Sequence, residues 1–211
     1  MLTGTEIAVA GVAAVAAGLV NALAGGGTLI AFPVLIGLGV PPVAAKISST
    51  VSLCPGYLGG ALTQRTDLKG QSHRALILLP AAIIGGLAGA ILLLFTSPGI
   101  FQILVPFLIL LGCLFLAVQD HVRNWIRRRS EDGKTGTGDG RIGIVPVTLA
   151  SVYGGYFGAG MSVIVLAVLG ISYDDSLTRL NALKQCIALA ANTAAAVFLF
   201  FQDQCCGALR F

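Results

Sequence analysis

This sequence has little charge. Only 10% of its 211 residues are Asp, Glu, Lys or Arg, against about 25% in a soluble domain. With 56% apolar residues, the chain has too few solvating groups for an ordinary globular domain, and its solvent is the lipid bilayer. The nine carboxylates form no paired constellation. Asp174 and Asp175 are neighbours in one junction and read as a solvated turn rather than as catalytic acids. A phosphate-binding P-loop is missing as well. Both absences argue against an ATP-driven pump or a membrane enzyme, so an ion gradient is left to drive any transport. Histidine occurs twice, and His73 and His121 stand in loops without a second ligand at metal spacing. Of the five cysteines, Cys54, Cys113 and Cys186 sit in apolar runs as packing residues, while Cys205 and Cys206 make no zinc or redox motif. No cofactor or metal is expected.

What the chain has in abundance is long apolar sequence: residues 7 to 24, 28 to 45, 47 to 62, 75 to 96, 100 to 118, 142 to 171 and 185 to 201. A helix needs roughly 20 residues to cross the hydrocarbon, and several of these runs are long enough. Backbone groups must be satisfied inside lipid, and the runs lack the alternation of barrel strands, so the expected fold is an all-α polytopic membrane protein. Ala22-Leu23-Ala24 imitates a signal-peptide cleavage site, but the leader carries Glu6 and neither Lys nor Arg; the first run is expected to be a retained helix.

The few cations are unevenly placed. Arg65, Lys69 and Arg74 fall in one loop, and Arg123, Arg127, Arg128, Arg129, Lys134 and Arg141 in another. Short loops rich in Lys and Arg stay cytoplasmic, so both are expected there. Two apolar runs joined by uncharged residues 96–99 separate them, and an even number of crossings returns the chain to the same side. Residues 130–141, rich in Gly, Ser, Thr and charge, read as a flexible stretch. The preceding "RNWIRRR" reads as a topology signal with Trp125 at the interface, and no nucleic-acid partner is expected.

A basic linker, 119–141, thus divides a first membrane repeat, 1–118, from a second, 142–211. In each half an apolar run leads to a glycine cluster, "AGGGT" or "YGGYFGAG", then to a short apolar piece, a lysine-bearing junction and another apolar run. The short pieces, 28–39 and 161–170, would be only about 15 to 18 Å long as helices, half the hydrocarbon thickness of about 30 Å. The breaks are therefore expected near mid-depth, where irregular backbone is tolerated only when buried in protein or lining a wet cavity. A half-helix that begins there aims unpaired N–H groups and the positive end of its dipole inward, which favours an anion. Gly25, Gly26, Gly27 and Thr28, with Gly158 and Gly160 opposite, are the expected anion site, and Asn21 adds an amide one turn earlier. Gly85, Gly86 and Gly89 and the pair Gly59-Gly60 read instead as small residues that let helices pack closely. Lys46 and Lys184 each follow a half-helix; snorkelling to the interface accounts for both, and attraction of the anion is the alternative. The repeats are expected to be inverted. Five crossings from one start to the next invert the second copy if the short piece changes side, whereas four leave it parallel if that piece re-enters.

The stretches "NALAGGGTLIAFPVLIGLGVPP" and "SSTVSLCPGYLGGA" in the first half, with "YGGYFGAGMSVIVLAVLG" and "NALKQCIALAANTAAAV" in the second, resemble the TauE/SafE family of sulfite and organosulfonate exporters. The likeness covers nearly the whole chain except the linker. It implies a secondary transporter of small anions, sulfite, sulfonates or related sulfur and carboxylate compounds, in the cytoplasmic membrane. It also assigns Asn181 and Lys184, in the NALK stretch, to substrate binding. Two departures stand out: family members usually have Asn or Thr where this chain has Lys46 to Ser49, and the second short piece is about two residues shorter than usual. The family also continues with a further pair of apolar segments beyond 192–201, whereas here "QDQCCGALRF" follows, so a scaffold or a truncated copy that needs a partner chain is the alternative function. A small anion and the bilayer are the expected partners, and homo-oligomerisation is left open.

Overall fold

In hydrocarbon every peptide group must find a partner within its own segment, which turns apolar runs into helices. The computed structural model describes residues 4–23, 25–131, 143–173 and 175–207, and among them there are eight helices and no strand. They are α1 (Gly4–Leu23), α2 (Thr28–Gly37), α3 (Pro42–Thr63), α4 (Ser72–Phe95), α5 (Pro98–Glu131), α6 (Ile144–Tyr156), α7 (Met161–Ser172) and α8 (Leu177–Gly207). Three of the described helices contain stretches long and apolar enough to cross a membrane, Ser72–Phe95, Pro98–Arg128 and Leu177–Gln202. The long α3 is more polar, with Lys46, Ser49 and Thr50 buried along one face.

The short helices form two hairpins that enter the bundle from opposite ends. In the first, α2 folds back along α1: a Cβ on Gly27 would strike the Ala17 carbonyl oxygen and stand 2.8 Å from the Asn21 Cβ. The same position lies 2.6 Å from Leu53, at the middle of α3, so this break is at mid-depth. Farther along α2, Phe32 and Leu35 share a cluster with Ala45 and Val43 near the start of α3. In the second hairpin, Gly143 at the foot of α6 lies 2.7 Å from the hydroxyl of Tyr173 just past α7, measured from its Cβ position, so the two feet adjoin. Near its turn, Met161 sulfur faces the Asn192 amide at 3.8 Å, at the middle of α8.

The first apolar run, α1, packs against both α2 and α3 and forms one arm of a hairpin whose other arm is α2. Its length alone, 20 residues in α1, does not reveal which neighbour it folds against.

The remaining packing follows from small residues. On α4, Gly85, Gly86 and Gly89 face α6 and α8 so closely that a Cβ at Gly89 would collide with the Val152 carbonyl oxygen, and one at Gly86 with that of Ala191. Gly155 of α6 meets the backbone of Gly86 in return. The expected packing role of these glycines is what the structure shows, since van der Waals contact is a main source of helix association in lipid. Of the pair Gly59-Gly60, only Gly60 is packed, 2.8 Å from the Gln185 amide; Gly59 faces open space.

Helix α5 continues through Glu131, so the basic stretch from 119 to 131 is helical where the sequence suggested a linker. Ile126, 2% exposed, packs under Gly170 of α7 and anchors this extension. Residues 132–142, with Lys134 and Arg141, lie outside the described residues, as does Asp174. At the same end Asp175 accepts hydrogen bonds from Arg74 at 2.8 Å and Arg179 at 3.2 Å, so it serves as a tie between α4 and α8.

Candidate functional site

The two breaks, at residues 25–27 and 157–160, meet inside the bundle. A Cβ on Gly25 would fall on the Ser162 side chain, 2.7 Å from its hydroxyl oxygen. Gly25 adopts φ +79°, and Gly158 and Gly160 adopt +87° and +75°, the left-handed conformations that glycine reaches at no steric cost. Those turns let each chain reverse at mid-depth without a side chain intervening. Aromatic packing locks the same junction: the Phe32 ring of α2 lies 5.2 Å from that of Phe157 in the second break, edge to face. From one side α5 closes over both breaks, with Gly112 against Ala159 and Leu29, Phe115 against Gly160, and Leu116 against Gly26.

The junction is poor in apolar contact at one point. Asn21 is 1% exposed and Ser162 2%, and among the described residues their side chains find no polar partner but the phenol of Tyr57. The phenol of Tyr57, itself buried, lies beside both. A buried polar group without a partner costs roughly 1–3 kcal/mol, so a cluster of such groups at two glycine turns is an expensive arrangement for packing alone. Backbone donors add to it. Among the described residues, the N–H groups of Ala159, Gly160 and Ser162 donate to no backbone carbonyl, whereas those of Met161 and Val163 do. This is the orphan set left at the start of any helix, here α7.

A lysine completes the surroundings. Lys46 is 1% exposed, and its ammonium bends along α3 to donate to the Thr50 hydroxyl at 2.7 Å. Thr50 and Ser49 in turn donate to the Lys46 carbonyl, both at 2.9 Å. A Cβ on Gly158 would come within 3.3 Å of the Lys46 ammonium nitrogen, so that charge stands against the bare backbone of the second break. The snorkelling alternative fails for Lys46, whose head group is buried in protein.

Of the residues singled out from sequence, Gly25, Gly27, Thr28, Gly158, Gly160 and Asn21 are gathered around this junction, all buried. Gly26 is turned to α5: its Cβ position meets the Leu116 methyls at 2.6 and 3.0 Å. Asn181 and Lys184 are elsewhere. Asn181 donates to the Gln64 side chain at 2.9 Å, and with Gln64, Arg123, Leu177 and Thr178 it lines a separate cavity of about 310 Å³ at the foot of α8. It precedes Asn192 by about 16 Å along α8, and Lys184 by about 12 Å, at the rise of an α-helix. The resemblance that linked Asn181 and Lys184 to the glycines therefore joins two places separated by several turns. Ser162, Tyr57 and Lys46 were missed as site residues. Only for Lys46 was there a signal, a cation beside an apolar run; Ser162 and Tyr57 are ordinary helix residues until the fold brings them together. A larger groove of about 560 Å³ between α4 and α8, lined by Ile83, Leu87, Val197 and Phe198 among others, is almost wholly apolar and lies apart from the breaks.

Comparison with known proteins gives the same picture at the level of family. The family described as sulfite exporter TauE/SafE matches residues 10–209. A "Probable membrane transporter protein" of Haemophilus influenzae (strain ATCC 51907 / DSM 11121 / KW20 / Rd) is 27% identical over 161 residues, which cover 74% of this chain and 60% of the relative. The chain thus spans about 60% of the length of the curated relative that it matches. No solved structure matches. The match over nearly the entire chain and the helices long enough to cross a bilayer agree: this multi-span membrane protein belongs to the TauE/SafE sulfite exporter family, a family of membrane transporters.

Proposed function

We propose that the chain carries a secondary transporter of small anions, sulfite, sulfonates or related sulfur and carboxylate compounds, which binds its substrate where the two breaks meet. The observation that carries this reading is the close approach of Gly25 to Ser162, with the buried polar side chains of Asn21 and Tyr57 beside it. The undonated N–H groups of Ala159, Gly160 and Ser162 at the start of α7 are donors for which an oxyanion supplies acceptors. The decisive experiment is flux: proteoliposomes of this protein should accumulate or release radiolabelled sulfite or a sulfonate well above protein-free vesicles. Flux no greater than that of empty vesicles, with the protein correctly inserted, would replace transport by a scaffold or partner-dependent role.

We read the architecture as inverted repeats. Support comes from the hairpins: α2 runs toward the start of α3, whereas α6 and α7 have their feet at the end where α3 finishes. Three helices, α3, α4 and α5, stand between them, and an odd number of crossings inverts the second hairpin. With basic loops cytoplasmic, residues 64–71 face the cytoplasm and 38–41 the opposite side. In a variant whose native cysteines are replaced, a cysteine at Thr66 should react with an impermeant maleimide only after the membrane is opened, and one at Gly39 in intact cells. The reverse pattern would overturn the orientation, and equal access from one side would overturn the inversion.

A further inference from the structure

The deeply buried Lys46 has no role in holding the fold that its contacts explain. Its ammonium donates to Thr50, one turn along its own helix. That bond ties Lys46 to no other element. Among the described residues no carboxylate pairs with it; the ion pairs found there join Arg74 and Arg179 to Asp175, at the end of the bundle where α8 begins. An ammonium has three donors, and the one hydrogen bond found leaves the others facing the Gly158 backbone, where a side chain would intrude. Within one turn of Gly158 come the undonated N–H groups of Ala159, Gly160 and Ser162 and the buried Ser162 hydroxyl. Positive charge, helix start and undonated N–H groups thus coincide at the second break.

We infer that Lys46 is the cationic group of the anion site, facing the ligand across Gly158, and that it makes the site select a small oxyanion over a neutral molecule of the same shape. The inference rests on the transport reading and assigns its charge recognition to one side chain. It also separates the two buried lysines. Lys184 lies near Arg123, several turns from the breaks, and makes no contribution to this selectivity. Ser49 and Thr50 position Lys46 through the carbonyl and ammonium bonds described above. A bound anion would sit between the ammonium and the start of α7, so that its charge is balanced from both sides.

The test uses purified full-length protein in nanodiscs and three probes: methanesulfonate, acetate and dimethyl sulfone, the last a neutral analogue of the first. Equilibrium binding should favour the better of the two anions over dimethyl sulfone by at least tenfold. Lys46→Met should reduce that preference to less than about threefold, Lys46→Arg should keep most of it, and Lys184→Met should leave it within about twofold of the parent. A purely structural role would lower thermal stability without changing the preference of the folded fraction. Should Lys46→Met not fold, Thr50→Val, which frees the ammonium without removing it, should lower anion affinity at least threefold. A Lys46→Met protein that discriminates like the parent, or failing that a Thr50→Val protein that binds the anions as tightly as the parent does, overturns the assignment while leaving anion binding intact. A parent that binds neither anion overturns the transport reading and this inference together.

Discussion

Leucine in place of Gly25 should abolish anion binding while the long helices still insert. Gly25 holds φ +79°, a conformation that costs a residue with a Cβ roughly 1–2 kcal/mol. Its Cβ position coincides with the side chain of Ser162, so a larger residue also forces the two hairpin turns apart, and overpacking of this kind costs about 1–3 kcal/mol more. Both penalties fall on the contact between the two hairpin turns. The expected result is at least a hundredfold loss of affinity for sulfite or a sulfonate, read by binding to purified protein, with an unchanged elution profile. Gly99→Leu is the control, since nothing lies within 4 Å of that position at the start of α5. Gly26→Leu should have an intermediate effect, because its neighbour is the flexible end of Leu116, which can turn aside where a backbone or a short serine cannot. A Gly25→Leu protein that binds as the parent does would show that the glycine turns serve packing and that the anion is held elsewhere.

Much of this arrangement was legible in the sequence, for a physical reason that also marks where legibility stops. Length is a local property: a piece of 10 or 12 residues between a glycine cluster and a junction cannot span, and the helical breaks follow. The packing glycines of α4 were legible for a similar reason, since small residues inside an apolar helix have few other uses in lipid. What sequence does not carry is the partner across space. Ser162 is one serine in a short helix until Gly25 is placed against it, and Tyr57 gains its meaning only beside Asn21. The two lysines show the limit from the other direction. Both stand near apolar runs, and the family motif favoured Lys184, yet the fold turns Lys46 toward the break and leaves Lys184 toward the foot of α8. The basic stretch after residue 119 was read as a linker because its charges outweigh its apolar residues; Val122 and Ile126, one turn apart, pack on the core and keep it helical. The first apolar run was counted as a span because 18 apolar residues suffice for one, and only its contact with Gly27 shows that it shares a hairpin.

The closest backbone approach in the bundle makes the second large prediction: Gly89→Leu should prevent stable assembly. Around Gly89, Gly85 and Gly86 the neighbouring atoms are backbone atoms of Thr148, Val152, Gly155, Tyr156 and Ala191 together with the Ser151 side chain. Backbone cannot rotate away, so a leucine can be housed only if α4 and α6 separate along their length. Water offers no compensation in hydrocarbon, because lipid tails replace lost apolar contact but not the fit of two helices. Helix α6 carries one arm of the second hairpin, and α8, packed on the other side of Gly86, carries Asn192 against Met161 at the turn. Loosening α4 therefore removes the support of the second break as well as a helix contact. The expected outcome is aggregated or proteolysed protein, or a midpoint of thermal unfolding in detergent lowered by at least 10 °C, with anion binding lost in the same sample. Gly59→Leu supplies the comparison: it faces open space on α3, and leucine is favoured over glycine in a helix by several tenths of a kcal/mol or more, so that variant should be as stable as the parent. Equal stability of Gly89→Leu and Gly59→Leu would mean that α4 and α6 do not meet backbone to backbone, and the second hairpin would then need another support.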